Sequence, residues 1–292
     1  MHENAIKNRY EFVLLYDVEN GNPNGDPDAG NMPRTDPETG YGIVTDVCIK
    51  RKIRNYIEMV QNGSPGFDIY IRQDTVLNTQ DKLGVEAVKE IKDRAEKSLG
   101  FRDFMCGHFF DIRTFGAVMT TASKSKEFLN TAGQVRGPVQ ITFGKSIDPI
   151  VPQEITITRV AITKEEKAEE ASTEMGRKNI VPYGLYRQEG FISANLAQKV
   201  TGFSECDLEY FWNAVINMFE EDRSAARGKM TLRELIVFKH DNELGKVPAY
   251  KLFDLVNVSR KEGVAVSRSY TDYILSIDLD SLPEGVTIER KV

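Results

Sequence analysis

A strand from Glu11 to Glu19 (EFVLLYDVE) gives way at once to a segment, Asn20 to Tyr41, crowded with Gly, Asn, Pro and Asp. Alternation sets Phe12, Leu14 and Tyr16 on one face of the strand and Val13, Leu15 and Asp17 on the other. The segment behind it is not expected to form regular structure, because its residues break helices and strands alike. A loop of this length inside a compact domain is functional or disordered. No GKS or GKT follows its glycines and the GxGxxG spacing is absent, so it is neither a Walker loop nor a dinucleotide fingerprint.

Downstream, the spacing predicts a helix from Asp46 to Gln61. Ile49, Ile53, Tyr56, Ile57 and Val60 form its buried stripe, Thr45 or Asp46 caps it, and Asn62-Gly63 ends it. A charged helix is expected from Gly84 to Leu99. Phe109 to Met119 is a Gly-rich, aromatic-rich run, and Val135 to Phe143 and Ile155 to Ile162 read as strands. Residues 163 to 182 are charged and aperiodic, a projecting excursion that belongs to a hairpin. Residues 185 to 196 read as a strand, Asp207 to Glu221 as a helix, and Leu232 to Lys239, Tyr250 to Val258 and Tyr273 to Leu279 as strands. The order is strand, helix, insertion, strand, excursion, strand, helix, strand. That is the βαββαβ order of a ferredoxin-like or RRM fold of the α+β class, widened by insertions. No repeat and no Pro/Ser linker divides the chain, so residues 1–292 are expected to form one domain.

The net charge of −6 and pI of about 5.4 argue against a simple non-specific nucleic-acid binder. They leave local clusters open, because phosphate contacts answer to local potential. Cys48, Cys106 and Cys206 form no CxxC pair, so neither a disulfide framework nor a zinc knuckle is signalled. Cys106 and His108 lack a second ligand pair, and no metal or cofactor is expected. No stretch approaches the roughly 20 apolar residues of a membrane span, and Met1 to Lys7 has no apolar run of a signal peptide. A cytoplasmic protein without membrane contact is expected.

Several features could carry chemistry. Asn20, Asn22 and Asn24, interleaved with Gly21 and Gly25, can line a phosphate path with amides and backbone N–H groups. They can equally form a stack of Asx turns. Lys50, Arg51, Lys52 and Arg54 put four cations into five residues of the first helix, and the patch is expected to lack i,i+4 acids. It is a phosphate grip or a solvated face. Arg113 and Phe115 lie in a run that fits an RRM stacking strand or a buried aromatic strand. Arg136 opens a strand beside Gly137-Pro138, and Arg177-Lys178 sit in the excursion. No GxSxG, HExxH or other catalytic signature occurs.

Four stretches together resemble one family. They are Asp17 to Pro27 (DVENGNPNGDP), Thr45 to Tyr56 (TDVCIKRKIRNY), Asp111 to Gly116 (DIRTFG) and Gly176 to Tyr186 (GRKNIVPYGLY). The chain from about residue 9 to about 280 is similar to the backbone subunit of the type I-C CRISPR Cascade complex, within the repeat-associated RNA-binding superfamily. The resemblance implies a modified RRM palm, large insertions (fingers) over about 63–130 and a thumb hairpin over about 155–183. It implies that copies of the chain line up along a CRISPR RNA and present its bases for pairing with target DNA, so that pairing reads the sequence. Other Cascade subunits and a recruited helicase-nuclease are the implied partners, and the subunit itself is not an enzyme. Lys50, Arg51 and Arg54 would then grip guide phosphates beside the Asn20, Asn22 and Asn24 loop. Arg113, Phe115 and Arg136 would line the palm, and Arg177 and Lys178 would sit on the thumb. The alternative implied by type III relatives is a metal-dependent cut of target RNA using Asp26.

Overall fold

The computed structural model describes residues 3–120, 126–159 and 174–292. Its first strand, β1 (Tyr10–Gly21), is buried along almost its whole length and lies at the centre of a sheet. The loop after it is less irregular than expected. Two-residue strands β2 (Gly25–Asp26) and β3 (Met32–Pro33) pair around a short 3-10 turn, and Gly30 and Asn31 take left-handed φ there. Strand β4 (Tyr41–Val44) then leads into helix α1 (Asp46–Val60), which buries Ile49, Ile53 and Ile57. Tyr56 is half-buried and Val60 is exposed, so the stripe is one turn shorter than its periodicity suggests.

The region that follows holds three helices, α2 (Leu77–Ala87), α3 (Arg94–His108) and α4 (Phe110–Phe115). The single helix expected over Gly84 to Leu99 is broken, because Asp93 turns its carboxylate onto the N–H groups of Ala95 and Glu96 at 2.9 and 2.8 Å and starts a new helix. The run Phe109 to Met119, which fits a strand in sequence, is mostly α4. All six α4 residues are buried, so no periodicity marks it, and Gly116 at φ 83° ends it. Short strands β5 (Gly116–Val118) and β6 (Gln134–Arg136) pair beside it. Tyr70, Phe101, Met105, Phe109, Ile112 and Phe128 give this region a core of its own.

The chain rejoins the central sheet through β7 (Val139–Ile141) and β8 (Gly144–Pro149), the strand expected as one run from Val135 to Phe143 being interrupted at Gly137-Pro138 and again at Thr142-Phe143. Strand β9 (Gln153–Arg159) pairs with the outer half of β10 (Glu174–Ile192), from Lys178 opposite Ile155 to Met175 opposite Thr158. Residues 154 to 158 are exposed on both faces, so this ribbon stands clear of the body. Positions 160–173 of the expected excursion lie outside the described residues.

Helix α5 (Glu205–Glu221) carries a Ser204–Asp207 capping box, and β11 (Lys229–His240) returns along β1. A short helix α6 (Ala249–Phe253) stands where the start of a strand from Tyr250 to Val258 is expected. Its Leu252 and Phe253 pack down on the sheet, and only β12 (Val256–Arg260) is extended. Strand β13 (Tyr273–Ile277) pairs with β12, and β14 (Val286–Arg290) adds to β11.

The resulting sheet runs β14-β11-β1-β10-β8-β4, with every described pairing antiparallel. Taken with α1 and α5, the inner order β11-β1-β10-β8 is that of a split βαββαβ unit. Helices α1 and α5 cover one face, where Phe12 meets Trp212 edge-on at 5.3 Å. The other face is not open. Val13, Leu15, Leu185 and Ile236 are sealed under Leu252, Phe253, Val256 and Tyr273, and Arg187 ties that cover down through the carbonyls of Phe253 and Val256. A base-stacking platform on the sheet face is therefore unavailable among the described residues.

Candidate nucleic-acid interface

A candidate surface lies where the loop after β1, the exposed flank of α1 and the turn before β11 converge. The groove there encloses about 1130 Å³. Among the described residues its lining includes seven Lys and Arg residues and no Asp or Glu, on a chain whose net charge is −6. The acids that balance these cations stand behind them. Asp26 holds Arg34 at 3.2 Å, Asp46 holds Lys50 at 2.8 Å, Glu58 holds Arg72 at 3.2 Å, and Asp222 contacts both Lys52 and Arg227. The Asp46–Lys50 pair corrects the expectation that the helix patch has no i,i+4 acid. Arg51 differs, since its described partner is the neutral Gln73, 2.9 Å away.

The Asn-Gly loop forms one wall through hydrogen bonds to its own surroundings. Asn24 accepts from the backbone N–H and the hydroxyl of Thr45, both at 2.9 Å, and so fastens the loop to the start of α1. Asn22 is buried and donates to the carbonyl of Asn31 at 2.7 Å. Gly25 leaves room for Asn31, whose side chain a Cβ would strike at 1.9 Å. Asn20 is exposed at the end of β1 with φ 51° and does not line the groove.

Other predicted site residues separate. Arg54 and Phe115 reach the groove but are buried. Arg54 donates to Asp111 at 2.7 Å, and both it and Lys50 lie over the Phe115 ring, at 5.2 and 5.6 Å from its centroid. Arg113 is not at the groove. It makes a two-pronged bond to Asp207 at 2.7 and 3.0 Å and also donates to the carbonyls of Cys106 and Gly66. Its place in a helix rather than a strand turns it inward. Arg136 lines a smaller adjoining cavity with Gly116 and Gln140. Arg177 and Lys178 lie on the ribbon, Arg177 exposed and 3.2 Å from Glu154.

Lys52 is deeply buried at the groove floor, and burial pushes its ammonium pKa down to about 8. Sequence reasoning missed the partners that α1 meets here, namely Arg34, Arg72, Arg227 and the exposed Phe143. They come from four separate segments, and only the fold brings them together.

Among the described residues no cluster of His, Cys, Asp and Glu could hold a metal ion. Asp26 spends its carboxylate on Arg34 and on the N–H of Asp28. Burial pushes the Cys106 thiol up to about 12, and His108 pairs with Asp68 and stacks on Phe104. Among the described residues, no helix is long and apolar enough to cross a membrane.

Fold and groove together define an α+β protein with a central antiparallel sheet and a cation-rich groove beside helix α1. The family model for "CRISPR-associated protein Cas7" matches residues 8–280, and the chain belongs to that family. A protein of that description from Haloferax volcanii is 28% identical over 305 residues, covering 97% of this chain and 83% of its own. Among solved structures, a chain of a CRISPR RNA-guided surveillance complex matches with a TM-score of 0.50 at 14% identity, over 90% of this chain and 78% of that one. A chain of a type III-B Cmr-beta complex bound to cognate target RNA matches more distantly, with a TM-score of 0.42 at 13% identity, over 79% and 61%.

Proposed function

We propose that this protein is a guide-RNA-binding backbone subunit of a CRISPR surveillance complex, of the type I-C kind. The observation that carries the reading is the groove, rich in cations and, among the described residues, lined by no carboxylate on an acidic chain. A groove of that kind tracks a phosphate backbone without reading its sequence. The sheet, with its modified RRM topology, is the palm. The region with its own core around Phe101 and Phe109 corresponds to the fingers, and the β9–β10 ribbon to the thumb. Lys50 and Arg51 bind guide phosphates, and the ribbon reaches a neighbouring copy. The bases are then left free to pair with target DNA, while other subunits and a helicase-nuclease act on the assembled particle. The protein's own role is structural.

Asp26 supports this non-catalytic role. A carboxylate already held by Arg34 and by the N–H of Asp28 is a poor magnesium site. The test is reconstitution with a guide-length RNA, a complementary strand and Mg²⁺. Regular multi-copy particles and two intact strands are expected, and deletion of 153–180 should leave RNA binding but abolish regular assembly. Cleavage at regular intervals that disappears in Asp26→Ala would overturn the proposal in favour of a type III nuclease.

A further inference from the structure

Phe143 is a large aromatic left 60% exposed on the lining of a groove whose described charged residues are all cations. Its exposure is built into the sheet. Strands β7 and β8 are successive parts of one edge against β10, with Ile141 opposite Gly190 and Lys145 opposite Arg187. Three residues, Thr142 to Gly144, stand there against Gln188 and Glu189, so the edge bulges. A bulge re-aims a side chain that a regular strand would place elsewhere.

Buried polar groups hold that bulge. The Tyr16 hydroxyl donates to Gln188 Oε1 at 3.0 Å, and Gln188 Nε2 donates to the Thr142 carbonyl at 2.6 Å. The Thr142 N–H donates to the Glu189 carbonyl at 2.8 Å, and the Glu189 N–H donates to Thr142 Oγ1 at 3.2 Å. Tyr16 and Gln188 are themselves almost wholly buried. At position 144 a Cβ would lie 2.4 Å from the Tyr16 hydroxyl oxygen, so glycine is required beside Phe143. Gly144 also pairs with Val44, which brings Phe143 next to the start of α1 and its cations.

We infer that Phe143 is a base-stacking residue of the guide path: its ring takes the face of a guide base while Lys50 and Arg51 take the adjoining phosphates. The inference rests on the proposed RNA-binding function. An exposed ring costs the protein hydrophobic surface in water, and a nucleobase is the ligand whose flat face accompanies phosphate. Val47 and Ile71 are likewise exposed on the same lining.

The test uses the full chain with two labelled single-stranded RNAs of equal length, one normal and one abasic. Phe143→Ala is expected to weaken binding of the normal RNA about tenfold, to leave binding of the abasic RNA unchanged, and to keep the same salt slope. Phe143→Trp should restore affinity, and its fluorescence should be quenched by the normal RNA alone. Equal affinity of Phe143→Ala and wild type for the normal RNA would overturn the inference. So would an equal loss on both RNAs, or a defect confined to multi-copy assembly, which would make Phe143 a contact between copies. If the wild-type chain binds neither RNA, the RNA-binding function itself fails and takes this inference with it.

Discussion

The mouth of the groove and the wall behind it use the same kind of side chain for opposite purposes. Arg51 and Arg54 stand three residues apart on α1. Arg51 is exposed and held by a neutral amide, whereas Arg54 is buried against Asp111 and the Phe115 ring. Arg113, behind it, has both prongs of its guanidinium on Asp207. A guanidinium facing a buried carboxylate has its charge answered within the fold. One facing an amide at the surface keeps its charge for a ligand. A run of cations in a sequence is therefore not one functional unit, because partner and burial divide it.

The wall should give the largest effect. Arg113→Ala strands Asp207 in the interior, and removing one partner of a buried pair costs about 3–5 kcal/mol. The urea midpoint should fall accordingly, while Arg51→Ala should change stability by no more than about 0.5 kcal/mol. Equal midpoints for the two variants would break the comparison.

The mouth should govern RNA binding. Lys50→Ala with Arg51→Ala should lower the slope of log affinity against log salt by roughly 0.7 for each phosphate that the variant no longer neutralises. Asp46 is left without Lys50 in that variant but remains half-exposed, so folding should tolerate it. Titration across salt concentrations checks this, and a folded wall variant that flattened the slope as much as the mouth variant would erase the distinction.

Lys52, on the floor between the two, should give the smallest and most informative effect. Its pKa of about 8 lies below the unfolded value of about 10.4. Between those two values the unfolded chain holds more protons, so this group makes the fold more stable as pH rises. Binding should move the opposite way, since the groove loses a cation as Lys52 deprotonates while Arg227 stays on Asp222. RNA affinity is expected to fall by about twofold from pH 7 to 9. Lys52→Arg should remove that step, because an arginine keeps its charge. An identical pH profile in wild type and Lys52→Arg would show that the floor does not contribute.

Legibility in the sequence follows the same division. α1 and α5 are legible because each has one buried and one polar stripe, as Ile49, Ile53 and Ile57 do against Lys50 and Arg51, and β1 because its apolar run is bounded by a Gly/Asn/Pro-rich segment. α4 was not readable, since a helix buried on every side has no period, and with it went the inward turn of Arg113. The break between α2 and α3 did carry a signal, Asp93 three residues before Glu96, which is a capping signature. The cover over the second sheet face reads in sequence as a strand from Tyr250, because the apolar residues there answer to tertiary packing. At the site, the local cluster on α1 could be seen. Arg34, Arg72, Phe143 and Arg227 could not, because nothing in their own segments shows that they share a groove. Gly144 was the one local hint of the bulge that exposes Phe143.

Strand β10 has a mechanical consequence. Its outer half is the ribbon, and its inner half is paired to β1 from Gly21 opposite Val181 to Tyr10 opposite Ile192, with β7 and β8 on its other side. A pull on the ribbon along its axis would load these bonds in shear, many at once, rather than peel them in turn. Both halves belong to one strand, Glu174–Ile192. Tension applied by anything gripping the ribbon would pass into the middle of the sheet, between its two apolar layers.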